Sequence, residues 1–201
     1  MGQRLVVTVN SQGQDLCKMY FHWSAYTRSA LHEVNDILEC IYNHEDESER
    51  DLQLRLIRFC EENGGGIKNG KDSDEWKYIQ SMYPNTIFKA DDISRNYGLI
   101  AISEEGMTDL QYWSEGDVFI DLDNEEVHFG VFSYYNSLES YIEERKDWDD
   151  DFEGIELGDI PDIGFDLGCF DVTDIGPVIA VLESVNDWVV RNGNEIYGLT
   201  E

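Results

Sequence analysis

Charge is divided unevenly along this chain, and any fold it adopts must tolerate the division. The first hundred residues hold 16 acidic and 11 basic side chains; residues 101–201 hold 27 acidic and three basic ones, Arg145, Lys146 and Arg191. The halves therefore carry −5 and −24 of the chain's net −29. A compact domain with so few compensating cations repels itself, at a cost in stability. Hydrophobic residues make up 41% of the chain and aromatic residues 12%. Both figures are too high for a disordered acidic tail, so the chain is expected to fold despite its charge. With 201 residues it can bury a sizeable core. We expect one domain over residues 1–201, with a subdivision point near 85–96 between a hairpin-plus-helices part (1–84) and an acidic sheet-and-helix part (97–201).

Periodicity supplies the elements. Leu5–Val9 and Lys18–Trp23 are β-rich runs on either side of Gln12-Gly13-Gln14-Asp15, which predicts an N-terminal hairpin. Leu31, Val34, Leu38 and Ile41 share one helical face, with Ser24 or Thr27 as its cap. Leu52, Leu56 and Phe59 line a second helix that Asn63-Gly64 ends. Ser73 opens a short third helix carrying Trp76, Ile79 and Tyr83, stopped at Pro84. Strands are predicted at Tyr97–Ser103, Asp117–Leu122 and Glu126–Phe132, the last two joined by a turn at Asp123-Asn124. A helix follows at Ser137–Arg145, an irregular strand at Ile163–Val172, a helix capped by Thr173 and ended by Asn192-Gly193, and an edge strand at Glu195–Leu199. The expected class is α+β, with helices packed on a mostly antiparallel sheet.

The motifs that carry chemistry are mostly broken. Gly64-Gly65-Gly66-Ile67-Lys68-Asn69-Gly70-Lys71 has glycines and lysine at phosphate-loop spacing, but Asp72 stands where a Ser or Thr is needed, and its carboxylate would repel phosphate oxygens. We read it as a flexible surface turn. Asp149-x-Asp151-x-Glu153-Gly154 begins like a calcium loop, yet Ile160 occupies the twelfth position, where a bidentate Glu belongs. An irregular cation site around Asp147, Asp149, Asp150 and Asp151, with Asp149, Asp151 and Glu153 as ligands, is the alternative use of that loop. Asp121-x-Asp123-x-Glu125 is a similar half-match, read as a hairpin turn. His22, His32, His44 and His128 lie in separate elements and complete no zinc site. Cys17, Cys40, Cys60 and Cys169 form no Cys-x-x-Cys pair and read as buried reduced thiols. No Gly-x-Ser-x-Gly elbow occurs. The expectation is a protein that is not an enzyme and uses no cofactor. The start lacks the apolar core of a secretion signal, and no apolar run is long enough to span a membrane, so a cytoplasmic protein is expected.

What remains is the acidity itself. Between Glu139 and Asp174 there are 14 acids and two bases. Duplex DNA carries a charge about every 1.7 Å of its axis, and a rigid face of carboxylates can fill the Lys- and Arg-rich groove that DNA or guide RNA would occupy. The expected partner-binding residues are Asp147, Trp148, Asp149, Asp150, Asp151, Glu153 and Glu156. If these acids only solvate the chain, the interface would fall to aromatics such as Trp76, Trp113 or Trp148. Direct binding to nucleic acid is excluded by the same field.

Met1-Gly2-Gln3-Arg4-Leu5-Val6-Val7, Tyr20-Phe21-His22-Trp23-Ser24-Ala25-Tyr26-Thr27 and Asn96-Tyr97-Gly98-Leu99-Ile100-Ala101-Ile102-Ser103-Glu104 resemble segments of small acidic proteins from phages and prophages of Gram-positive bacteria. Some proteins of that kind are anti-defence proteins, including anti-CRISPR proteins. The resemblance implies a non-enzymatic inhibitor in the host cytoplasm, acting on a basic nucleic-acid-binding protein such as a CRISPR nuclease. The alternative is an immunity-type or other protein-interaction module, with or without the cation.

Overall fold

The computed structural model describes residues 4–25, 27–43, 48–88, 98–130 and 169–180, and the fold is that of these residues. Strands Leu5–Ser11 (β1) and Gln14–Phe21 (β2) form the expected antiparallel hairpin. Gln12 and Gly13 both take positive φ, 52° and 71°. That is the two-residue turn whose twist matches a right-handed ribbon. Gln14 and Asp15, expected in the turn, instead enter the ladder opposite Ser11 and Asn10.

Around this hairpin a mixed sheet is built from Gly66–Ile67 (β3), Leu99–Ala101 (β4), Gly116–Asp121 (β5), Glu126–Gly130 (β6) and Cys169–Asp171 (β7). The spatial order is β3-β4-β2-β1-β5-β6-β7. The β1–β5 and β3–β4 pairs are parallel; the other four are antiparallel, as the α+β reading expects. β1 pairs with β5 from Leu5↔Gly116 to Asn10↔Asp121, so one sheet runs through both the charge-balanced and the acidic parts of the chain.

Three helices supply one covering layer: Thr27–Tyr42 (α1), Glu49–Glu62 (α2) and Asp74–Met82 (α3). On α1 the predicted face is buried, with Ile37 added to it. On α2 the buried residues are Leu56, Ile57 and Cys60, one position round from the predicted stripe, and Leu52 and Phe59 lie at its margin. Ser48 and Ser73 cap α2 and α3, each accepting a backbone N–H three residues on. Arg55 Nη1 donates to the Cys40 and Ile41 carbonyls (2.6 and 2.9 Å), satisfying the open end of α1. Ser24, a candidate cap, instead donates to Glu33 Oε1. These helices bury their apolar sides on the sheet face formed by Leu5, Val7, Val9, Cys17, Met19, Ile100, Val118 and Ile120.

The opposite face carries a helix that periodicity does not predict, Glu104–Gln111 (α4). Ser103, placed at the end of a strand by its neighbours, is the cap of α4, and Glu104 and Glu105 fill its first turn. Beneath α4, Val6, Tyr20, Leu99, Ala101 and Leu110 form a second, smaller cluster flanked by Met107 and Trp113.

Three expectations change. Gly65-Gly66 is no flexible surface turn: Gly66 and Ile67 are buried in β3, and a Cβ at Gly65 would lie 2.1 Å from the Gly98 carbonyl oxygen. Glycine is required there by backbone contact, not by mobility. Trp76 is only 8% exposed, held edge-on against Phe88, and offers no interface. Asp171, not Thr173, caps the last helical segment: its Oδ1 accepts the Thr173 N–H (2.9 Å) and hydroxyl (2.6 Å). A 3-10 turn at Val172–Asp174 then leads into α-helix over 175–180. The expected helix at 137–145, most of the expected strand at 163–172 and all expectations beyond residue 180 lie outside the described residues.

Candidate functional site

The expected partner-binding residues Asp147, Trp148, Asp149, Asp150, Asp151, Glu153 and Glu156 lie outside the described residues, and with them the alternative cation ligands Asp149, Asp151 and Glu153. The acidic character of the second half is nevertheless visible elsewhere. Residues 98–130 and 169–180 carry eleven carboxylates and no Lys or Arg.

Strand register brings several of these acids into line. Asp15 of β2 faces Asn10 of β1, Asn10 faces Asp121 of β5, Asp121 faces Glu126 of β6, and Glu126 faces Asp171 of β7. Residues directly opposite one another share a sheet face, and neighbouring strands lie about 4.8 Å apart. Four carboxylates thus form one row across five strands, on the face opposite the main core. His128 stands two residues along β6 from Glu126, and its Nε2 lies 3.1 Å from Glu126 Oε2.

The row is fixed at its turn end by other acids. Both oxygens of Asp123 accept backbone N–H groups of the β1–β2 turn, from Gln12 (2.8 Å) and Gly13 (3.0 Å). Two hairpin turns that are distant in sequence are thereby tied by one carboxylate. Asp121 accepts from the Asn124 side chain and from the Asp123 and Asn124 N–H groups. The Asn124 side-chain bond, with those two backbone bonds, holds the Asp121 carboxyl below its ordinary range. The hydroxyl and N–H of Thr173 do the same for Asp171. Val172 N–H reaches the Glu125 carbonyl, closing β7 onto the turn. Tyr42, at the end of α1, feels this end of the molecule. Partial burial, then the charges of Glu125 and Asp171, push its phenol up. With Asp123 committed to backbone donors, the Asp121-x-Asp123-x-Glu125 half-motif is the hairpin turn it was expected to be. No group of three or more metal-ligating side chains converges among the described residues.

The remaining chemical candidates are dispersed. Cys17 and Cys60 are buried and their thiols are pushed up by desolvation, Cys60 to about 12. Neither is a thiolate nucleophile at neutral pH. Cys40 is only partly buried, not sealed in the core as expected. Lys68 of the glycine-rich stretch is 3% exposed and pairs through its ammonium with Asp109, so it does not project towards a phosphate. The Tyr20 hydroxyl and His22 Nδ1 are 2.6 Å apart, and Arg4 is bound to Glu115 through both backbone and guanidinium. No described helix is long and apolar enough to cross a membrane.

Sequence reasoning missed the acidic row. Its members come from four strands, and nothing local to any one of them announces the others. The available signal was that Asp15, Asp121, Glu126 and Asp171 each stand at or next to a strand terminus. No protein-family model, curated protein or solved structure matches this chain.

Proposed function

We infer that this chain is a non-enzymatic inhibitor that binds the basic nucleic-acid cleft of a host defence nuclease, offering carboxylates where phosphates would lie. The target class is an RNA-guided CRISPR nuclease, and the working compartment is the bacterial cytoplasm. The observation that carries this reading is the cross-strand row Asp15–Asp121–Glu126–Asp171, pinned at its turn end by Asp123. Three charges on adjacent strands, about 4.8 Å apart, and a fourth beyond Asn10 make a rigid array that Lys and Arg side chains can meet without first ordering it. The surrounding half of the chain contributes long-range attraction for a basic surface and repels nucleic acid. The loop acids from Asp147 to Glu156 extend the same polyanion in sequence.

The test is inhibition and binding of a purified nuclease recovered by pull-down from host lysate. Replacing Asp147, Asp149 and Asp151 with Lys should weaken binding more than tenfold, and Glu126→Lys should weaken it several-fold. The same reversal at Glu45, Glu47 and Glu49, in the nearly balanced half, should do much less. Binding should fall steeply as salt rises from roughly 50 to 500 mM. Salt-insensitive binding, or equal behaviour of all three variants, would reduce the acids to solvation.

A further inference from the structure

An open groove of about 510 Å³ runs between β2 and α4, lined by Asp15, Lys18, Glu104, Met107, Gln111 and Tyr112 among others. Its two ends differ. Glu104, the first residue of α4, stands at one end, and Asp15 of β2 adds a second carboxylate to the lining. Tyr112 stands at the other, 89% exposed. Eight residues of helical rise separate Glu104 from Tyr112, about 12 Å.

The wall between them is preorganised. Lys18 Nζ donates to Gln111 Oε1 (2.6 Å) and stands 4.0 Å from Asp15. Gln111 Nε2 donates to Asp117 Oδ1 (2.7 Å), which also accepts from the Ser114 hydroxyl. Trp113 packs edge-on against Tyr20 at 5.4 Å. Its anchoring fixes the chain just after α4 and leaves the neighbouring Tyr112 in solvent. Tyr112 is the C-cap of α4, and the helix itself carries no basic residue in its last turn. A helix C-terminus and a tyrosine face both favour a cation.

We propose that this groove seats an extended, arginine-bearing segment of a protein partner. One guanidinium lies flat on the Tyr112 ring at the end of α4. A second base, three or four residues along at about 3.3 Å per residue, meets Asp15 and Glu104. Arginine suits both ends because its planar guanidinium stacks on aromatic rings and pairs bidentately with carboxylates. A second copy of this chain is a poor occupant, since each copy carries a net charge of −29. The proposal rests on the reading that the partner is a basic protein, and it names the side chain recognised and its seat.

The probe is the pentapeptide acetyl-Arg-Gly-Gly-Gly-Arg-amide, titrated into the full chain with backbone amide NMR as readout. The largest shifts should fall on Asp15, Thr108, Gln111 and Tyr112. Tyr112→Ala should weaken peptide binding at least fivefold, Tyr112→Phe should keep most of it, and Tyr78→Ala, at another exposed tyrosine, should leave it unchanged. Replacing both arginines with citrulline should abolish the shifts. Thermal melts of Tyr112→Ala should match the parent, because so exposed a ring contributes little to folding. Equal weakening by Tyr112→Ala and Tyr78→Ala, shifts centred elsewhere, or Tyr112-dependent dimerisation in sedimentation would each overturn the seat. A salt-sensitive nuclease complex unaffected by Tyr112→Ala would overturn the groove and leave the inhibitor reading standing. Peptide seated in the groove without any nuclease complex would do the reverse.

Discussion

The two faces of the sheet are held by different means. Among the described residues, 28 buried ones form one cluster under α1, α2 and α3; under α4 there are five. The first face is large enough to set the stability of the molecule. The second depends on polar ties to hold its helix. Glu75, 6% exposed, accepts the Ile102 and Ser103 N–H groups at 2.6 and 3.1 Å as well as the Ser103 hydroxyl. Lys68 pairs with Asp109 of α4, and Lys18 with Gln111. Such bonds orient an element more than they stabilise it. The acidic row and the groove both belong to this second face. Repulsion among the carboxylates of the row therefore acts on the face away from the main core.

Truncation within each cluster should separate the faces most widely. Leu31→Ala, in the large cluster, should cost about 4 kcal/mol in urea unfolding, and Leu110→Ala, in the small one, about 2 kcal/mol, because α4 can settle into the space left behind. Equal losses would mean that the two clusters unfold as one and would break the comparison. A smaller effect comes from the polar tie. Glu75→Ala leaves two backbone N–H groups and a hydroxyl without their acceptor and should cost about 2 kcal/mol. Amide exchange should accelerate over α4 well before it does over α1. Uniform acceleration would show that Glu75 supports the whole fold rather than its thin side.

Much of the thick face was legible, because its signals are local. Leu31, Val34, Leu38 and Ile41 sit at helical spacing, and Ser73 precedes an apolar stripe with acids in the first turn. The thin face was not legible, and glycine explains why. Gly106 breaks the helical pattern of α4, yet a Cβ there would lie 2.1 Å from Glu75 Oε2. Gly65 reads as a loop residue, yet it is required by the Gly98 carbonyl. In both cases the reason for glycine is a residue remote in sequence. The acidic row failed the same way. Its acids were counted, but the β1–β5 parallel pairing that aligns them spans over a hundred residues and leaves no local trace. The acidic loop expected to carry binding lies outside the described residues.

The smallest effect, and the finest test of the comparison, is in the pH response. On α1, Glu33 is desolvated, and that burial outweighs the Ser24 hydroxyl and His32 and raises its carboxyl above the ordinary range. Desolvation, then the Glu39 charge, raises the neighbouring Asp36 as well. In the sheet Asp121 is lowered by Asn124, and just before β5 Glu115 is lowered by Arg4. The signs oppose. A carboxyl raised on folding binds its proton more tightly in the native state, so it penalises stability above its folded pKa and the penalty fades as pH falls through that value. A lowered carboxyl contributes stability above its unfolded pKa and loses it as pH falls towards the folded one. Glu33→Gln should therefore raise the melting temperature at pH 7, with the gain vanishing as the solution is acidified through the carboxylate range. Asp121→Asn should lower it at pH 7, with the loss likewise vanishing in acid. Melts of both variants and the parent across pH 3 to 8 decide the matter. If both substitutions shift stability in the same direction at pH 7, the carboxylates of the helical layer and those of the acidic row share one environment, and the division of labour between the faces fails at its most sensitive point.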